Sequence, residues 1–392
     1  MKILVALSRF PWPLEKGDKL RAYYQLKGLS NTHEVHLVCL DERPVPEAHI
    51  RELHFCKSVT VLPLRKPAIA WNLVRGIFNR IPFQVNYFRS AAMQQAIGEI
   101  CEKECIDVVA VQLIRLGMNL PRELKPGAFL DYMDCFSIGM RNRISKTGPL
   151  LRWLVRLEAR RLERYEAQIA ARFDELGIIS TRDVEGLPSA IRDQVHIIPN
   201  GVGDLFFEDL PPVQDKDYDL IFFGNMGYQP NVQSARYLVE EVLPEVRKLG
   251  IDPKLCLAGA RPAKIIQGYA SDRIAVTGFV DDIRDYVLRS RLSIAPVIGG
   301  QGLQNKLLES MALGLPTLTT PMAFAAIQES EEEVLVVCED AKSFAREIKR
   351  LLESPEEAAQ IGLRGKAFVE ENYRWDAMNA KLEQALERAM KS

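Results

Sequence analysis

The chain has 392 residues, 47% of them hydrophobic and 26% charged, which is a globular make-up with material for two domains of roughly 200 residues each. Its 51 Lys and Arg against 52 Asp and Glu argue against a nucleic-acid binder that works by overall basicity. Charge is uneven along the chain: residues 1–200 hold 29 basic and 22 acidic side chains, and residues 201–392 hold 22 and 30. The basic excess of the first half suits an anionic surface or ligand, and ordinary solvated charge accounts for it as the commoner case. Seven cysteines, odd in number and without a C-x-x-C pair, point to neither a disulfide framework nor a zinc site. The apolar start Ile3 to Leu7 is too short for a signal-peptide core, and no stretch approaches the roughly 18 apolar residues of a membrane span. A cytoplasmic location is expected, with any membrane contact peripheral.

Short apolar runs alternate with longer helical patterns in both halves, which predicts an α/β protein built on parallel sheets covered by helices. In the first half strands are expected at Ile3 to Leu7, Val35 to Leu40, Val59 to Leu62, Val108 to Gln112, Phe129 to Tyr132, Leu176 to Ile179 and Val195 to Ile198. The second half offers Leu220 to Phe223, Lys254 to Leu257, Ile274 to Thr277, Ser293 to Ala295, Thr317 to Thr319 and Val334 to Val336. Each set is long enough for its own doubly wound sheet. The domains read as 1–203 and 218–373, joined by a Pro-containing acidic linker at 204–217, with a helix at 374–392 suited to returning to the first domain. A long helix from Leu150 to Arg172 interleaves leucines with arginines. Such a helix fits either a packing role with a solvated rim or contact with an anionic bilayer, where each exposed cation contributes about 1 kcal/mol.

The chemistry concentrates after the strand ending near Pro296. There Gly299, Gly300, Gln301 and Gly302 lead into a helix carrying Lys306 and Glu309. Glycines let backbone N–H groups approach a ligand closely, and a helix N-terminus carries about half a positive charge, so a phosphate is stabilised there. Lys306 in the first turn opposes that dipole unless an anion is present. Lys306 and Glu309, three apart, share a helix face and suit a ligand with both phosphates and hydroxyls.

The run Gly302-Leu303-Gln304-Asn305-Lys306-Leu307-Leu308-Glu309-Ser310-Met311-Ala312-Leu313-Gly314-Leu315-Pro316 resembles the donor-binding motif of family 4 retaining glycosyltransferases, known also as glycosyltransferase group 1. Three further segments agree in order: Ile198 to Val202, Phe223 to Asn231 and Thr277 to Asp282. Pro11 to Arg21 is similar to a subgroup associated with bacterial exopolysaccharide and exosortase loci. The resemblance implies the GT-B fold, two Rossmann-like doubly wound domains facing across a cleft. It also implies that Glu309 binds the donor ribose and that Gln304, Asn305 and Lys306, with Gly302 and Leu303 before them, face the diphosphate or donor sugar. Gly278, Phe279 and Val280 would border the base, with Gly224, Asn225 and Asn231 on the phosphate side. The loop at Gly17 would close on the diphosphate, leaving Asp18, Lys19 and Arg21 near the acceptor, although Gly17 serves a helix-entry turn equally well.

Three departures stand out. The family commonly has two glutamates eight positions apart, and here the earlier one is Gln301, which can hydrogen-bond but brings no charge. Where an Arg and a Lys usually hold the diphosphate, this chain has Asn225 and Asn231, so Lys306 is left to supply the cation. A histidine frequent after the fourth strand is replaced by the run Gln112 to Arg115. Asp131 and Asp134 follow a strand whose C-terminal end should face the cleft, and either suits orienting or deprotonating an acceptor hydroxyl. Turn formation explains them nearly as well.

These readings combine into a metal-independent, cofactor-free retaining hexosyltransferase, moving a sugar from a nucleoside diphosphate sugar to a glycan or lipid-linked acceptor in bacterial surface or exopolysaccharide synthesis. No nucleic acid is expected as a partner. The alternative is a non-catalytic nucleotide-sugar or glycan-binding scaffold on the same fold. A dinucleotide oxidoreductase fits worse, since neither half has G-x-G-x-x-G after its first strand.

Overall fold

In the computed structural model, residues 1–145, 147–208, 215–299, 302–327 and 333–391 are described. They form two compact units. The first comprises Met1–Pro199 together with the segment from Trp375 onward, and the second comprises Asn200–Arg374.

The first unit carries seven parallel strands: β1 (Lys2–Leu7), β2 (Glu34–Asp41), β3 (Ser58–Pro63), β4 (Val108–Gln112), β5 (Gly127–Asp131), β6 (Glu175–Ile178) and β7 (Val195–Ile197). Their order is β3-β2-β1-β4-β5-β6-β7. The second unit carries six: β8 (Tyr218–Phe223), β9 (Leu255–Ala258), β10 (Ile274–Gly278), β11 (Ser290–Ala295), β12 (Thr317–Thr319) and β13 (Val336–Val337), ordered β10-β9-β8-β11-β12-β13. Both sheets thus reverse direction once, between β1 and β4 and between β8 and β11. Such a reversal opens a crevice at the C-terminal ends of the strands. Every strand read from the sequence is present, with ends differing by a residue or two, or three at the start of β11. Strands buried on both faces are near-continuous apolar runs and are the easiest elements to read.

The helix Trp375–Lys391 belongs to the first unit. Its Leu382, Ala385, Leu386 and Ala389 share one core layer with Ile3, Leu7, Leu26, Val108 and Phe129. Close approach is made possible by two glycines: a Cβ on Gly127 would lie 2.1 Å from the Ala389 carbonyl oxygen, and one on Gly28 would lie 1.9 Å from Asn379 Nδ2. Trp375 stacks on Tyr24 with ring centroids 5.1 Å apart. Part of the stretch expected as linker is structured: Asp204–Phe207 is a short helical turn tied to the second unit by Arg284, which donates to the Leu205 carbonyl at 2.6 Å and pairs with Glu208. Residues 209–214 of that stretch lie outside the described residues.

Candidate active site

In the second unit, three adjacent parallel strands end in the same way. Gly224 after β8, Gly259 after β9 and Gly278 closing β10 have φ of 140°, 130° and 73°, values that L side chains rarely adopt. The rows are stitched together, because Gly224 N–H donates to the Ala258 carbonyl and Gly259 N–H to the Gly278 carbonyl at 3.1 Å. A Cβ on Gly259 would sit 2.0 Å from the Gly224 oxygen. The rim is therefore stripped of side chains, and a ligand can reach the backbone itself. Gly224 and Gly278 were legible from the motif, whereas Gly259 was not singled out.

The helix Asn305–Ala312 begins beside this rim, after buried Gly302 at φ 69° and buried Leu303. Lys306 reaches back from its first turn, donates to Asn231 Oδ1 and lies 4.9 Å above the Phe222 ring. Asn231 is buried and turns its amide nitrogen to the Asn225 carbonyl at 3.0 Å, while Asn225 Oδ1 accepts from Gly227 N–H. The two asparagines are thus a scaffold that aims the lysine. Asn305 Oδ1 accepts from buried Asn200 Nδ2 at 3.1 Å, which ties the first residue of the second unit to the helix start. Burial lowers the Lys306 ammonium to about 8, against an opposing pull from Glu309. The same burial raises the Glu309 carboxyl to about 7, with Lys306 acting to lower it. Near neutral pH both groups are poised, and an anion delivered to the ammonium would repay its lost hydration. Gln304 takes the N-cap position without a capping bond from its side chain, Val280 is partly buried and Phe279 is 76% exposed beside Gly278. Gln301 lies outside the described residues.

The first unit's rim is built on charge. Gly17 opens the helix Gly17–Leu29, with Met133 Cε 3.7 Å from where its Cβ would be. Asp18 pairs with Arg9 at 3.1 Å and with Arg115 at 3.5 Å, and its carbonyl accepts from Gln112. Lys19 donates to the Trp12 carbonyl at 3.0 Å, and burial lowers its pKa. Two assignments are corrected here. Arg21, expected near the acceptor, is fully buried and forks onto Asp131 at 2.6 and 3.2 Å. Asp131 also accepts from Met133 N–H at 3.0 Å, so its oxygens are engaged inside the protein and it is no free base. Asp134 keeps partial exposure, and its carboxyl is raised to about 7 by burial and then by the charge of Asp183. Asp183, buried and bonded to Ser180, was missed by the sequence reading.

Arg115 stands after β4, where the related motif has histidine. It is sandwiched by Phe88 at 4.7 Å and Phe136 at 5.8 Å, with Nε unpartnered, and burial and Arg9 lower it to about 10. Leu113 and Met133, both non-glycine residues, have φ of 72° and 61° at the ends of β4 and β5. Backbone strain of this kind costs about 1–3 kcal/mol and collects at functional rims. Histidines are paired elsewhere: His36 with Ser58 and Glu34, His196 with Glu175. Among the described residues one group could hold a metal ion, Glu34, His36 and Glu104, and it includes the first residue of β2, at the opposite end of the strand from the rim.

Residues 217–354 match the family described as Glycosyl transferases group 1. Over 397 aligned residues the chain is 23% identical to an uncharacterized 44.6 kDa protein in the cps region of Klebsiella pneumoniae, covering 95% of this chain and 96% of that one. Among solved structures it is similar to sucrose-phosphate synthase from Thermosynechococcus elongatus, with TM-score 0.68, 15% identity and all of both chains covered. It is also similar to Anabaena HepE in complex with UDP-glucose, with TM-score 0.66, 12% identity and 99% of each chain covered. No described helix is long and apolar enough to cross a membrane. The second unit is thus similar to the group 1 glycosyl transferases over residues 217–354, and the chain as a whole has the GT-B fold.

Proposed function

We propose that the protein is a retaining glycosyltransferase that takes a hexose from a nucleoside diphosphate sugar and adds it to a glycan or lipid-linked acceptor of the bacterial surface. The observation that carries this reading is the Lys306 and Glu309 pair on the helix start beside the glycine rim. The ammonium and helix N-terminus meet the diphosphate, and Glu309 meets the ribose hydroxyls. The solved HepE complex with UDP-glucose and the capsule-region relative support the donor class and the setting.

In this reading the acceptor hydroxyl attacks the anomeric carbon from the face that the diphosphate leaves. The anomeric carbon to phosphate-oxygen bond breaks, the new glycosidic bond forms, and the hydroxyl proton passes to the departing phosphate oxygen. The protein supplies orientation and charge stabilisation, with Lys306 and the helix dipole taking up the developing negative charge and no metal required. The role of orienting the acceptor hydroxyl is assigned to Asp134, whose carboxyl, unlike that of Asp131, remains partly accessible. Calorimetry with UDP, GDP, ADP, dTDP and NAD tests the site: one nucleoside diphosphate is expected to bind and to be lost in Glu309→Ala. If none binds even with acceptor glycan present, the reading falls and a non-catalytic scaffold takes its place.

A further inference from the structure

The helix Lys66–Phe78 violates the usual pattern of a surface helix. Ile69 and Gly76 are buried and Leu73 packs on the core, which uses one face. At 100° per residue Trp71, Val74 and Phe78 fall on the opposite face, and they are 64%, 49% and 85% exposed, with Ile77 beside them at 61%. A helix apolar on two sides needs a cover on both. The first turns of the helix Pro149–Ala170 expose Leu150, Leu151 and Trp153 in the same manner.

The two helices present these side chains on neighbouring ground. Arg161 donates to the Gly76 carbonyl at 2.7 Å, and Glu158 accepts from the Phe83 and Gln84 N–H groups at 2.9 and 3.0 Å. Gly76 is two residues from Phe78, and Trp153 is five residues from Glu158, about 8 Å along the helix axis.

Charge says what the cover is. From residue 53 to 98 the chain has no Asp or Glu and six cations, Lys57, Arg65, Lys66, Arg75, Arg80 and Arg89. From 135 to 157 it again has none, with five cations, Arg141, Arg143, Lys146, Arg152 and Arg156. Arg65, Lys66, Arg75, Arg80 and Arg156 are exposed. An apolar centre with two tryptophans and a rim of one sign of charge is built for the headgroup boundary of an anionic bilayer. A second copy of this chain would set cations against cations.

We infer that the first unit docks on anionic lipid through Trp71, Val74 and Phe78 of one helix and Leu150, Leu151 and Trp153 of the other. The proposal is independent of the donor assignment. Flotation of the full chain with vesicles of phosphatidylcholine, with or without about 30 mol% phosphatidylglycerol, tests it. Binding is expected to the anionic vesicles alone and to fall about tenfold or more in Phe78→Ser/Trp153→Ser and in Arg75→Glu/Arg80→Glu. Both pairs are on the surface, so melting temperature should hold. Brominated acyl chains should quench the fluorescence, and Trp71→Phe/Trp153→Phe should remove the quenching because buried Trp375 and partly buried Trp12 remain. Failure to bind, binding unaltered in both double variants, or loss of a concentration-dependent dimer in Phe78→Ser/Trp153→Ser without lipid binding would overturn the proposal.

Discussion

The two sheets share the order of six strands, with β7 added at the edge of the first, yet finish their C-terminal rims in opposite ways. In the second unit β8, β9 and β10 end in three positive-φ glycines, and Lys306 is held by the neutral amide of Asn231 rather than by a carboxylate bond. In the first unit the rim is crowded with Arg9, Asp18, Arg21, Arg115, Asp131 and Asp134, and much of that charge is spent on itself. A charged residue at a strand end is therefore not evidence of a ligand contact by itself. Burial and partners decide whether its charge is available.

The largest test of this contrast is to break the first rim's internal pair. Arg21→Ala or Asp131→Ala should cost about 3–5 kcal/mol in denaturant unfolding, because the partner is left as an unpaired buried charge. Unchanged stability with lost turnover would instead return the pair to the substrate. Lys306→Ala should do the reverse, leaving the melting temperature nearly unaltered while lowering turnover by about 10²–10³-fold, the loss typical of a charge-stabilising donor. Turnover near normal would remove Lys306 from its assigned role.

A finer comparison lies within the glycine rim. Gly259→Ala drives a Cβ to 2.0 Å from a backbone oxygen and should cost about 1–3 kcal/mol together with nucleotide affinity. At Gly278 nothing lies within 4 Å of the added Cβ, so only the positive φ resists, at roughly 1–2 kcal/mol. Equal stability losses in the two variants would show that crowding is not what shapes the rim.

The smallest effect is in pH. Lys306 is charged below about 8 and Glu309 is ionised above about 7. Nucleoside diphosphate affinity should therefore rise as Glu309 ionises, peak between about 7 and 8, and fall as Lys306 loses its proton. Glu309→Gln should flatten the acid limb and keep the alkaline one, as measured by titration at a series of pH values.

The strands were legible because each is a short apolar run, and the Asn305–Ala312 helix because its glycines, Lys306 and Glu309 are close in sequence. What escaped depended on distance along the chain. Arg21 and Asp131 are 110 positions apart and each looks like a surface charge in its own window. Gly259 is a lone glycine whose need for φ of 130° arises only once β8 and β9 lie side by side. The outward stripe of the Lys66–Phe78 helix is not marked in the sequence for another reason: two apolar faces on one helix leave no clear alternation of apolar and polar positions.

The return of the helix Trp375–Lys391 to the first unit bears on the order in which the protein is made. The ribosome delivers β1 to β7 early, but the layer that closes over Ile3, Leu26 and Phe129 is supplied only after every residue of the second unit has been synthesised. The first unit must wait with an open apolar face while its neighbour folds, which makes that interval the time when a nascent chain most needs a chaperone.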